Sequence, residues 1–129
     1  MYTIVAGIDT DKERAVAQAE TIADMPMDTD EVEAVLTHSF EENRSGASVA
    51  QVSSVQRAQS ILEDAGIDVT LEEAGSDDPA ATVLQFADEY DADLVAVAGR
   101  KRSPTKKVVF GSVSQEIILN TRRPVLVCE

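Results

Sequence analysis

The sequence predicts an α/β fold, a five-stranded parallel sheet with helices on both faces. Three observations predict it. Short apolar, β-branched runs alternate with helix-period segments in the order βαβαβαβαβ. The run Leu94–Ala98 (LVAVA) is apolar at every position, as a parallel strand covered on both faces must be. Helix-start and helix-stop residues fall between these runs, where parallel strands need crossover connections.

Tyr2–Ile8 (YTIVAGI) reads as a buried strand ending at Asp9. Asp9-Thr10-Asp11 offers caps to a helix over Lys12–Met25, with Ala15, Ala19 and Ile22 on one face, and Pro26 ends it. Val32–His38 is the second strand, and Ser39–Ser48 is a polar loop containing Gly46. Val49, Val52, Val55, Ala58, Leu62 and Ala65 recur at helical spacing, so one helix is expected over Ser48–Ala65, with Gly66 closing its C-terminal end. Ile67–Glu73 alternates with period two and forms the third strand. After the loop Gly75-Ser76-Asp77, Asp78 is an N-cap and Pro79 the first helical residue. Val83, Phe86, Ala87 and Tyr90 mark the inner face of that helix. Leu94–Ala98 is the fourth strand. The last helix begins at Ser112, with Val113, Ile117 and Ile118 inward, and Pro124–Cys128 is the fifth strand.

With 129 residues and neither a repeat nor a linker, one domain over residues 1–129 is expected. The single cysteine, Cys128, excludes an internal disulfide and suits a reducing compartment. The opening MYTIVAG lacks a basic flank, and no run reaches the roughly 18 apolar residues of a membrane span, so a soluble cytoplasmic protein is expected. Net charge is −13. Residues 1–99 carry 22 acids against 4 bases, whereas residues 100–129 carry 2 against 7. The acidic excess reads either as an ordinary solvated surface or as the lysine-poor coat of a protein from a salt-rich cytoplasm, such as that of a halophilic archaeon.

The base is concentrated in AGRKRSPTKKVVFGSVS, residues 98–114. Gly99 follows a buried strand, and Gly111-Ser112 opens a helix. In open parallel sheets ligands sit at the carboxyl ends of strands, where Asp9, Ser39 and Gly99 fall. Helix N-termini present unsatisfied N–H groups at the positive end of the helix dipole. With Ser112 and Ser114 as hydroxyl donors, and Arg100, Arg102, Lys106 and Lys107 as charge, the segment is a candidate phosphate cradle. Alternatively, Ser112 is only a cap and the basic run an exposed loop offsetting the acidic coat. Neither a Walker A sequence nor GxGxxG occurs.

The pieces IVAGID, SDDPAATVLQFADEYDADLVAVAG, FGSVSQEI and RPVLV, in that order and over nearly the whole chain, resemble the universal stress protein family. The resemblance implies a Rossmann-like, adenine nucleotide alpha hydrolase-like sheet of order 3-2-1-4-5. It implies adenine nucleotide binding, as ATP, ADP or AMP, with Mg²⁺ arriving on the nucleotide. It would place Gly7 and Asp9 on the adenosine side with Ser39 at the end of the second strand. Gly99, Gly111, Ser112, Val113 and Ser114 would hold ribose and phosphates through backbone and hydroxyl donors. It also implies a homodimer paired through the last strand. The chain departs from the family's G-x2-G-x9-G-[ST] in two ways. Arg102 stands at the second glycine, and the following spacer is eight residues long. Arg102 adopts a left-handed backbone less cheaply than glycine, and Pro104 pushes Ser103 toward an extended conformation, but the loop gains cationic groups for phosphate.

Other candidates point elsewhere. His38, the only histidine, has no second His or Cys near it in sequence and reads as structural rather than catalytic or metal-binding. Asp77-Asp78 and the Asp88–Asp93 cluster read as caps and solvated surface. Nucleic acid is disfavoured by the acidic body and by the lack of aromatics interleaved with the bases. No Ser-His-Asp or Cys-His arrangement is evident, so a binding protein is expected, with at most slow ATP hydrolysis. The remaining reading is a dimer without nucleotide whose basic segment docks an acidic partner.

Overall fold

The computed structural model describes residues 1–40, 48–74, 78–102 and 107–129, with residues 100–102 and 107–109 described as backbone. The central sheet holds β1 (Tyr2–Gly7), β2 (Val32–Ser39), β3 (Asp68–Ala74), β4 (Leu94–Ala98) and β7 (Val125–Cys128), all parallel, in the order β3-β2-β1-β4-β7. This is the 3-2-1-4-5 arrangement. β1 therefore lies between β2 and β4, and its end opens into the crevice where the order reverses.

Period-two alternation sorts the core. Ile4, Ala6, Leu36 and Ala96 point to one face, under α1 (Lys12–Ala23) and α2 (Ser53–Asp64). Val5, Val35, Val95 and Val97 point to the other, under α3 (Pro79–Glu89) and α4 (Ser112–Asn120). Most of these side chains are fully buried, and each buried Val, Ile or Leu among them contributes about 1.5–3 kcal/mol relative to exposure.

The caps follow the local chemistry. Asp78 accepts from the Ala81 amide at 3.1 Å, and Pro79 occupies the first helical position. Gly66 has φ +91°, the left-handed conformation that glycine adopts without strain. For α1 the cap is Asp11, whose carboxylate accepts from the Arg14 amide, and Asp9 is released for another role.

Three expectations are corrected. The single helix over Ser48–Ala65 is two pieces. A 3-10 turn at Val49–Gln51 is closed by a Ser48–Gln51 capping box, and Val52 is extended before α2 starts. Val113 is not inward: it is 37 % exposed, while Ile117 is buried. The basic segment contains an antiparallel hairpin of β5 (Arg100–Arg102) and β6 (Lys107–Val109), pairing Arg100 with Val109 and Arg102 with Lys107. The expected loop features Gly46, Gly75-Ser76-Asp77, Ser103, Pro104 and Lys106 lie outside the described residues. Among the described residues, no helix is long and apolar enough to cross a membrane.

Candidate functional site

At the carboxyl ends of β1, β2 and β4 a cavity of about 780 Å³ opens, a size that suits a small organic ligand. Of the residues singled out from sequence, Gly7, Asp9, Ser39, Gly99, Gly111, Ser112, Val113 and Ser114 all line it. The backbone of Arg102 ends β5, and its side chain, like those of Arg100, Lys106 and Lys107, lies outside the described residues.

The α4 end of the cavity is formed by the first turn of that helix. α1 and α3 are capped by aspartates, whereas α2 starts at Val52 without a side-chain cap, behind a 3-10 turn that has its own capping box. α4 begins at Gly111 with no side-chain cap. Among the described residues its first-turn amides have no side-chain acceptor, and they stand at the positive end of the helix dipole. A Cβ at Gly111 would meet nothing within 4 Å, so the approach to these amides is open.

Two donors expected for a phosphate are already committed. The Ser114 hydroxyl donates to the Ala98 carbonyl at 2.9 Å, which ties α4 to the end of β4. The Gly99 amide donates to the Cys128 carbonyl at 2.8 Å, extending the β4–β7 ladder. Neither proton is free for a ligand. Gly99 then supplies space, and Ser114 its backbone.

The β1 end carries the charge. Asp9 Oδ1 accepts from the Asp11 amide at 2.8 Å, and Asp9 Oδ2 lies 2.9 Å from Arg14 Nε. This pair is half-exposed, so its net contribution is small, and an anionic ligand could draw the guanidinium away at little cost. Beneath it Gln18, 2 % exposed, donates from Nε2 to the Gly7 carbonyl at 3.0 Å. Arg14 and Gln18 line the cavity and were missed in the sequence. Their signal was only their one-turn spacing on the helix that leaves Asp9.

The β2 end is aromatic. His38 Nδ1 lies 2.7 Å from the Ile8 carbonyl, and Phe40 packs edge-on against the imidazole, centroids 4.7 Å apart at 82°. Both line the cavity, as does Phe110. His38 has the strand-end anchoring role read from sequence and also faces the site. Among the described residues no group of three His, Cys, Asp or Glu is gathered to hold a metal ion.

Comparison with known proteins gives a consistent picture. The sequence pattern of the Universal stress protein family matches residues 1–129. A universal stress protein of Mycolicibacterium smegmatis is 30 % identical over 80 residues, 62 % of each chain, so the match spans less than two thirds of that relative's length. The structure of a universal stress protein from Archaeoglobus fulgidus superposes with a TM-score of 0.78 at 26 % identity, covering 100 % of this chain and 99 % of that one. The A. fulgidus universal stress protein in complex with dAMP superposes with a TM-score of 0.71 at 21 % identity, covering 100 % and 98 %.

Proposed function

The chain belongs to the universal stress protein family, and from that premise we propose that it binds an adenine nucleotide in the cavity between β1, β2, β4 and α4. The observation that carries this reading is the uncapped start of α4, whose open amides share one cavity with the apolar and aromatic end of β2. Phosphates would sit on the Ser112, Val113 and Ser114 amides, with Gly111 allowing close approach. Gly7, Asp9 and Ser39 would line the nucleoside side, and Arg102 would add charge from the hairpin. A relative solved with dAMP supports the nucleotide class.

ATP, ADP and AMP all suit this arrangement, with Mg²⁺ carried on the phosphates. The role is binding rather than catalysis. The one carboxylate among the described lining residues, Asp9, is held by Arg14, so no ready general base faces the phosphate end. β7 is a sheet edge with half-buried Val125, Leu126 and Val127, and we infer a homodimer formed there, since edges of this kind are usually covered. The acidic, lysine-poor coat fits a salt-rich cytoplasm.

One observation favours a second reading. The β5–β6 ladder takes up backbone groups that a phosphate-wrapping loop would leave free. A dimer that docks an acidic partner on this hairpin, without nucleotide, would use it directly. Equilibrium dialysis with labelled ATP, ADP and AMP, at physiological and at near-molar salt, separates the two. Saturable binding is expected, and its absence at both salt levels overturns the nucleotide reading.

A further inference from the structure

His38 is only 7 % exposed, yet its ring borders the cavity. Its Nδ1 stands 2.7 Å from the Ile8 carbonyl oxygen. A carbonyl only accepts, so Nδ1 holds the proton, and in the neutral imidazole Nε2 is left with a lone pair. Phe40 packs edge-on against the ring and restrains its orientation. Among the described residues Nε2 has no protein partner, and no buried side-chain nitrogen or oxygen is left unpaired. Nε2 is therefore open to the cavity, a fixed acceptor on an otherwise buried side chain.

Its place in the sheet says what it would meet. The order β2-β1-β4 sets the β2 and β4 ends about 9–10 Å apart, two strand spacings, comparable with the length of a nucleoside monophosphate. With phosphate on the α4 amides beyond β4, the base reaches β2. We propose that His38 Nε2 accepts a hydrogen bond from the exocyclic amine of the bound base and so selects a 6-aminopurine over a 6-oxopurine. A 6-oxo group would set its own oxygen against the lone pair and leave both unpaired, the kind of mismatch by which a polar site discriminates. This rests on the nucleotide reading above and adds to it a specificity-determining residue.

The test is calorimetric titration of AMP and of IMP into the wild-type protein and into His38→Asn at about pH 8. Asn keeps a donor near the Ile8 carbonyl and places nothing where Nε2 stood. The wild type is expected to bind AMP about tenfold or more tighter than IMP, and His38→Asn to lose that preference through weaker AMP binding alone. Because the chain has one histidine, ¹⁵N NMR of the wild type reads the same contact without a variant. The Nε2 resonance should shift with AMP and not with IMP. If His38→Asn does not fold, as judged by its melting curve, the resonance decides. Equal wild-type affinities, an unchanged ratio in His38→Asn, or an unmoved Nε2 resonance on AMP binding overturns the His38 assignment while leaving nucleotide binding in place. Failure of the wild type to bind either nucleotide overturns both.

Discussion

Gly7 lies directly against Val83: a Cβ on the glycine would stand 2.6 Å from Val83 Cγ2. This contact lets α3 sit close over the end of β1, and so sets one wall of the cavity. Val83 is 1 % exposed and stiff at χ1, so it has little room to yield. Gly7→Ala is expected to cost about 1–3 kcal/mol in urea unfolding. Adding Val83→Ala should recover part of that loss, making the double variant more stable than the sum of the two single effects predicts. Additive losses would show that the contact is not what makes glycine necessary there.

Gly111 behaves differently, since a Cβ there meets open space and its φ is ordinary. Gly111→Ala should change stability by less than about 0.5 kcal/mol. On the proposed nucleotide reading, affinity should fall about tenfold, because the methyl group would stand in the approach of a phosphate to the α4 amides. Ser114→Ala should show the reverse: about 1 kcal/mol of stability lost with the Ala98 bond, and affinity within about threefold of wild type. Paired melting and dialysis measurements distinguish the two patterns.

Tyr90 donates its hydroxyl to Glu72 at 2.6 Å, and this bond, with burial and the neighbouring carboxylates, pushes the phenol up to about 12 from 10.0. The folded value lies above the unfolded one, so the bond's stabilisation is fully present below about pH 10 and is lost as pH rises through about 12. A tyrosinate difference titration of wild type against Tyr90→Phe should place the missing step near pH 12. A step near pH 10 would mean that Glu72 does not hold the hydroxyl.

Cys128 is fully buried on β7, and burial pushes its thiol up to about 11. Thiolate is the reactive form, so native protein at about pH 8 should react with a disulfide reagent at least about a hundredfold more slowly than protein in denaturant. A fast native reaction would show that the β7 edge opens readily.

Much of the fold was legible in local pattern. Asp78-Pro79 announces α3, LVAVA announces β4, and Gly66 marks the end of α2, because caps, periodicity and left-handed turns depend on residues within one turn of each other. The break at Val52 was not legible, since Val49, Val52 and Val55 keep helical spacing through it and only the Ser48–Gln51 box interrupts the helix. The β5–β6 hairpin was hidden because strand pairing depends on a partner and not on the composition of RKR or KVV.

The sequence by itself determined the strand order through its family pattern, the cap residues, and which segments end at the mouth of the sheet. Only the tertiary structure decided which polar groups at that mouth remain available. The Ser114 hydroxyl and the Gly99 amide are taken by Ala98 and Cys128, Asp9 is held by Arg14, and His38 is anchored through Nδ1 with Nε2 left open. The reason is physical. Local conformation follows from short-range sterics and periodicity, whereas the satisfaction of a donor or acceptor depends on atoms brought near it from distant parts of the chain.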